Sequence, residues 1–200
     1  MRLLVGTTNR GKILEIEEAL KGLSVDLVPL ATLGSFPQVV EDGATFTENA
    51  LKKARTLADF SKLVTLADDS GLEVDALGGA PGIHSARYSG EHGNDAMNNE
   101  KLLGVLAGVP EENRSARFVC VIALCSPKAS GYREWLFRGE CSGRIATAPK
   151  GGRGFGYDPL FFYPPMGKTF AELDRETKNR VSHRGQALRK LRDALPSLSI

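Results

Sequence analysis

The order of its apolar patterns constrains this chain more than any other feature. Short apolar runs alternate with helix-period segments through the first half, and two long strand-like runs lie back to back around residue 130. Strand–helix alternation calls for parallel strands with helical crossovers, whereas a tightly connected strand pair is antiparallel. Together the two patterns predict an α/β fold built on a mixed β-sheet. At 200 residues, 42% hydrophobic and 25% charged, the chain suits one domain, 1–200, with a sizeable core.

Arg2 to Thr7 reads as a buried strand, followed by the polar turn Thr7-Thr8-Asn9-Arg10-Gly11. A helix follows from about Lys12 to Lys21, with Ile13, Ile16 and Leu20 on one face and Gly22 as its stop. Ser24 to Leu30 reads as a second strand. Thr45-Phe46-Thr47-Glu48 has capping-box spacing and opens a helix through about Ala58. Leu63 to Ala67 reads as a third strand ending at Asp68-Asp69-Ser70-Gly71, with Leu72 to Leu77 as a separate fourth. The stretch from Gly78 to Gly90 is too rich in Gly and Pro for regular structure. A helix is expected over Asn94–Leu106, then strands at Ala116–Ser126 and Glu134–Ala146 joined by Lys128-Ala129-Ser130-Gly131. After a loop at Gly151 to Gly156 come two helical patterns. The second, His183 to Leu195, carries Leu188, Leu191 and Leu195 on one face and is terminated by Pro196.

Several function classes drop out. A net charge of +2 without a dense basic run does not point to nucleic acid. Met1 to Gly6 is too short for a signal peptide or a membrane span. Cys120, Cys125 and Cys141 form no CxxC pair and read as buried thiols in a reducing, cytoplasmic setting. Gly167-Lys168-Thr169 ends like a P-loop, but that motif's first glycine would fall at Phe162. The three histidines lack the spacing of a zinc hydrolase.

Four constellations carry chemistry. The turn at Thr7, Thr8, Asn9, Arg10, Gly11 and Lys12 sits before a helix, whose N-terminal N–H groups and partial positive charge attract phosphate. The same residues also read as ordinary N-capping by Thr8 or Asn9. The acidic set Glu41, Asp42, Glu48, Asp68 and Asp69 suits Mg²⁺ or is a solvated loop with a turn-forming pair. Adjacent residues on a strand face opposite ways, so Asp68 and Asp69 should do different jobs. Phe155 and Tyr157, in the glycine-rich loop, read as a base-stacking platform or as a plug holding the loop down. Finally, Ser182 caps the last helix and sets His183 and Arg184 in its first turn. Cations oppose the dipole there and imply an accepting partner, such as a purine O6/N7 edge.

These segments together resemble the inosine/xanthosine triphosphate pyrophosphatases. The resemblance runs through Thr7-x-Asn9-x-x-Lys12, Glu41-Asp42-Gly43-x-Thr45-Phe46-x-Glu48-Asn49-Ala50 and Ala67-Asp68-Asp69-Ser70-Gly71-Leu72. It continues in Gly78 to Tyr88, Gly154-Phe155-Gly156-Tyr157-Asp158-Pro159 and Ser182-His183-Arg184-Gly185. It implies an elongated mixed sheet with flanking helices, two lobes around an active-site cleft, and a homodimer. The implied reaction cleaves a non-standard purine triphosphate (ITP/dITP or XTP/dXTP) to monophosphate and pyrophosphate. Carried over residue by residue, Thr7 to Lys12 hold phosphate, and Glu41 and Asp69 hold Mg²⁺. Asp69 matches the general base and Ser70 a substrate contact. Phe155, Gly156, Tyr157, Asp158, Lys178, His183 and Arg184 form the nucleotide pocket. Thr8 departs from the pattern, since many relatives carry glycine there. Two rivals are weighed against this reading: a pyrophosphatase of the related Maf type, which favours pyrimidine or modified nucleotides, and a non-catalytic nucleotide- or RNA-binding module.

Overall fold

Leu3, Leu4 and Val5 are almost wholly buried, so the first apolar run forms an interior strand. The computed structural model describes residues 1–129 and 131–199. Its elements in chain order begin with β1 (Arg2–Val5), α1 (Arg10–Leu20), β2 (Asp26–Pro29), α2 (Phe46–Ser61), β3 (Val64–Val74) and α3 (Asp95–Val105). They continue with β4 (Ser115–Lys128), β5 (Gly131–Ile145), β6 (Phe161–Tyr163), β7 (Lys168–Thr169), α4 (Arg175–Val181) and α5 (His183–Ala194).

The sheet has seven strands in the order β2-β1-β3-β4-β5-β6-β7. β1 pairs in parallel with β2 (Leu3 opposite Leu27) and with β3 (Leu4 opposite Thr65). β6 pairs antiparallel with both β5 and β7. The expected mixed α/β sheet is therefore present, with helical connections around its parallel strands.

By contact density the chain divides into two compact units. The first comprises Met1–Asp69, Cys120–Gly139 and Arg184–Ile200, and the second Ser70–Val119 and Glu140–His183. The first unit's core joins Leu3, Val5 and Leu66 to Ile16 and Leu20 of α1 and to Leu188 and Leu191 of α5. The helix-period stripes thus bury the faces their spacing implied. The second unit's core is more aromatic. Phe161 lies 4.4 Å from Phe118 and 4.8 Å from Phe170 between ring centroids.

Two expectations fail. The Gly- and Pro-rich stretch from Gly78 to Gly90 does hold regular structure, a 3₁₀ helix over Gly82–Arg87. The other concerns β3. The third and fourth strands are one continuous strand, β3, which carries Asp68, Asp69, Ser70 and Gly71 in its middle and ends at Val74. The acidic pair reads as a turn because free carboxylates favour turns. Here both are buried against cations, so the ladder continues through them. Smaller differences fall at element ends: α2 runs to Ser61, and β4 and β5 are longer than expected. Of the expected hairpin connection, Ser130 lies outside the described residues. The three cysteines are free and buried. Among the described residues no helix is long and apolar enough to cross a membrane.

Candidate active site

The order β2-β1-β3 makes the C-terminal end of β1 a topological switch point. The chain leaves β1 for one neighbour and later returns on its other side, and open α/β sheets bind ligands at such points. The Thr7–Lys12 turn sits there. Thr7 Oγ1 accepts from Asn9 N at 3.1 Å, and Asn9 Oδ1 accepts from Lys12 N at 3.1 Å. Asn9, not Thr8, caps α1. The first turn of α1 holds no acidic residue, while Arg10 and Lys12 give it two cations. Thr8 is exposed and needs no special backbone, because Lys62 is the only described non-glycine residue with positive φ.

β3 presents its two aspartates to different partners, as strand alternation requires. Asp68 Oδ2 lies 2.8 Å from Lys12 Nζ and 3.4 Å from Arg184 Nη2. The other arm of that guanidinium, Nη1, lies 2.8 Å from Glu15 Oε2. Lys12, Asp68, Arg184 and Glu15 thus form a chain of alternating charges, three of them buried. Burial would raise the proton affinity of Asp68. The charges of Lys12, Arg184 and Lys53 override it and hold the carboxyl far below the usual range. Arg184 is correspondingly locked in its charged form: burial opposes the charge, but Glu15 and Asp68 outweigh it.

Asp69 faces a second cluster. Its Oδ2 accepts from Asn49 Nδ2 at 3.1 Å, and its Oδ1 lies 3.6 Å from Lys53 Nζ. Lys53 also donates to Glu41 Oε1 at 3.1 Å, so one ammonium holds both carboxylates. Burial, reinforced by the Glu41 charge, raises the Asp69 carboxyl above its ordinary value against the opposing pull of Lys53 and Asn49. Of the other acidic candidates, exposed Asp42 pairs with Lys52 at 2.5 Å, and Glu48 accepts from Ala44 N at 2.6 Å. Both are local supports.

A buried carboxylate, Asp69, and a half-buried one, Glu41, sharing one cation fit a hard divalent ion, because their mutual repulsion is what such a cation relieves. Among the described residues no group of three or more His, Cys, Asp or Glu converges. Mg²⁺, which takes few protein oxygens, suits this pair better than a metal that needs a full protein cage.

In the second unit the loop before β6 is locked from inside. Asp158 is buried, and its Oδ2 accepts from Phe155 N at 2.9 Å and from Lys178 Nζ at 2.5 Å. Gly154 must be glycine: its φ is +79°, and a Cβ there would lie 2.0 Å from Asp158 Oδ2. From α3, Asp95 Oδ2 accepts from Gly156 N at 2.7 Å while Asn99 Nδ2 donates to Gly156 O at 2.8 Å. The loop's two aromatics then part company. Tyr157 is buried, donates to Ser85 O at 2.9 Å and belongs to the core, which makes it the plug and not a platform. Phe155 is half-buried, with Lys178 Nζ 4.7 Å above its ring. His183 stacks on Phe118 at 4.6 Å, and Ser70 is half-buried in β3.

Phe155, His183 and Arg184, which the sequence groups together, therefore keep different company. His183 packs with the second unit's aromatics, whereas the Arg184 guanidinium sits among carboxylates of the first. Sequence reasoning missed Asn49 and Lys53 on α2, and Asp95 and Asn99 on α3. The α2 pair left a signal: both occur at the spacing of buried Phe46, Ala50, Ala54 and Leu57, so they interrupt a core-facing stripe with polar groups.

Comparison with known proteins matches this arrangement to relatives over nearly its full length. The dITP/XTP pyrophosphatase of Geobacter sulfurreducens is 55% identical over 194 residues, spanning 97% of this chain and 96% of that one. The dITP/XTP pyrophosphatase of Desulforamulus reducens is 50% identical over 200 residues, 100% of this chain and 98% of its own. Among solved structures, a HAM1 protein from Coxiella burnetii superposes with a TM-score of 0.90 at 41% identity, covering 99% of this chain and 100% of that one. The model of the Ham1 family matches residues 3–194, and the chain belongs to that family.

Proposed function

We propose that this protein hydrolyses non-standard purine nucleoside triphosphates, ITP/dITP and XTP/dXTP, to the monophosphate and pyrophosphate. The observation that carries the reading is the Asp69–Lys53–Glu41 cluster on the strand that also carries Asp68 with Lys12, in a chain half-identical to dITP/XTP pyrophosphatases.

In this reading the turn from Thr7 through Asn9 to Lys12 binds the phosphates, with Arg10 and Gly11 at the start of α1 and Ser70 as a further contact. Lys12 is the cation of the turn that Asp68 already holds in place. Asp69 accepts the proton of the attacking water, whose oxygen bonds to the α-phosphorus as the bond to the bridging oxygen breaks. A carboxylate whose proton affinity burial has raised is a better base than an exposed aspartate. Glu41 and Asp69 would hold Mg²⁺, which supplies charge neutralisation on the phosphates when bound. Lys53 keeps the two carboxylates together before any metal arrives.

The base is assigned to the second unit. Phe155, whose ring carries Lys178 Nζ 4.7 Å from its centroid, is the aromatic assigned to stacking on the base. Asp158 and the backbone of Gly156 and Tyr157 hold that ring in place, and His183 donates to the base. Arg184 belongs to the first unit, where Glu15 and Asp68 hold its guanidinium, so the donor assigned to a 6-oxo purine is His183. Adenine presents an N6 amino donor at that edge and is disfavoured.

Pyrophosphate release from ITP, XTP, GTP, ATP and dTTP, with and without Mg²⁺, tests the reading. We expect release from ITP and XTP at least about 100-fold faster than from ATP, as befits a site built on buried hydrogen bonds to the base. No release from any of the five would sink it. Fastest release from dTTP would favour the Maf-type alternative. The same reading includes a homodimer, which light scattering of the purified protein checks.

A further inference from the structure

Asn49 is fully buried, at 0% exposure, on the face of α2 that turns toward β3. Its amide is used at both ends. Oδ1 accepts from Gly43 N at 2.8 Å, and Nδ2 donates to Asp69 Oδ2 at 3.1 Å. The orientation of the amide is not arbitrary. A backbone N–H can only donate, so the oxygen must face Gly43, and the amino group is left for the carboxylate. The approach of Gly43 is equally constrained, since a Cβ there would lie 2.8 Å from Asn49 Oδ1 and 2.8 Å from Glu48 Cβ. Glu41 lies two residues before Gly43. A single side chain therefore ties the backbone of the Glu41 loop to the carboxylate of Asp69.

We propose that Asn49 is the positioning residue of the acidic cluster: its amide fixes which oxygen of Asp69 is presented to water and metal, and holds the Glu41 loop in register with it. The argument is one of geometry. A carboxylate free to rotate presents either oxygen, and a base or metal ligand works only within a narrow orientation. Donation to Oδ2 by a rigid, buried amide leaves Oδ1 directed to the Lys53 side, where Glu41 also lies. Lys53 holds the same two groups by charge, but an ammonium is a point charge without directional preference. Asn49 supplies the direction that Lys53 lacks.

The proposal rests on the reading of Asp69 as the base, and its test separates the two. Wild-type protein, Asn49→Ala and Asn49→Asp are compared for kcat and KM on ITP, for melting temperature, and for affinity toward Mn²⁺ alone by electron spin resonance. Asn49→Ala removes both bonds. Asn49→Asp keeps the acceptor for Gly43 but turns the donor toward Asp69 into an opposing carboxylate, so it isolates the Asp69 half. For both folded variants we expect kcat to fall about 10- to 100-fold, the loss usual for a group that orients a ligand, with KM within about threefold. Mn²⁺ should bind Asn49→Ala about 10-fold more weakly. In Asn49→Asp the added carboxylate is itself a ligand, so kcat alone is read there. A folded Asn49→Ala with wild-type kcat overturns the proposal and leaves the pyrophosphatase reading standing. If Asn49→Ala does not fold, wild-type kcat in Asn49→Asp does the same. If wild-type protein releases no pyrophosphate, that reading fails by itself, and unchanged Mn²⁺ affinity in Asn49→Ala then overturns the positioning role.

Discussion

Asp68 and Asp158 are both buried carboxylates with an ammonium in hydrogen-bond range, yet the two units build around them differently. Asp68 draws its cations from α1 and α5, elements far apart in sequence, and Glu15 extends the chain of charges beyond them. Asp158 takes partners from its own loop and from nearby α4, and one of them, Lys178, lies over the ring of Phe155. The first arrangement neutralises and aims charge, which under the proposed function serves a polyphosphate. The second stiffens a loop, which under the same proposal serves a neutral base. The same local chemistry thus serves electrostatics in one unit and shape in the other.

That contrast can be broken experimentally. The largest effect should come from Asp69→Asn, which we expect to slow pyrophosphate release about 100- to 10,000-fold while nucleotide binding survives, as befits loss of a general base. Near-normal turnover would remove Asp69 from that role. Next, Lys12→Ala should lower kcat/KM by about 10- to 100-fold, the worth of a charged hydrogen bond, and equally for ITP, XTP, GTP and ATP. Phe155→Ala should instead change the ratios between those nucleotides, with a loss of about 1–3 kcal/mol of stacking read mainly in KM for the preferred base. If Lys12→Ala altered the ratios and Phe155→Ala did not, the division between units would be wrong. The smallest effect concerns stability. The folded Asp68 carboxyl titrates well below its unfolded value of about 3.9, so its contribution is present above that pH and is lost as pH falls below it. The urea midpoint should decline on acidification through that window, and less steeply in Asp68→Asn.

Much of this was legible in the sequence where a pattern has a single physical solution. Leu188 and Leu191 at helical spacing had to bury one face, and Thr45 did cap α2, its side chain accepting from Glu48 N at 3.1 Å. The Thr7–Lys12 turn was legible as a candidate because a strand, a turn and a helix in that order create an anion site, whereas Glu41 and Asp69 stood out from the other acids only through the family resemblance. What was not legible depended on partners distant in sequence. Nothing near Asp68 announces that Lys12 and Arg184 will neutralise it, so the strand was expected to stop there. Tyr157 and Phe155 are two residues apart in one loop, and only the folded core decides which ring goes inside. Asn49 and Lys53 interrupt the inner stripe of α2, but that the carboxylates they meet are those of Asp69 and Glu41 is decided by the fold and not by neighbours in sequence.

The continuity of β3 has a consequence for how this sequence can change. Because Asp68 and Asp69 are adjacent on an unbroken strand, their separate partners are assigned by parity alone. Inserting one residue between Val64 and Asp68, with the upstream register kept, would move Asp68 into the slot of Asp69 and turn Asp69 to the opposite face one residue further along, away from Asn49 and Lys53. A substitution on β3 acts at one position, whereas a change in its length shifts every residue beyond it. Among descendants of this sequence, indels should therefore accumulate in the loops and leave the spacing from Val64 to Asp69 untouched.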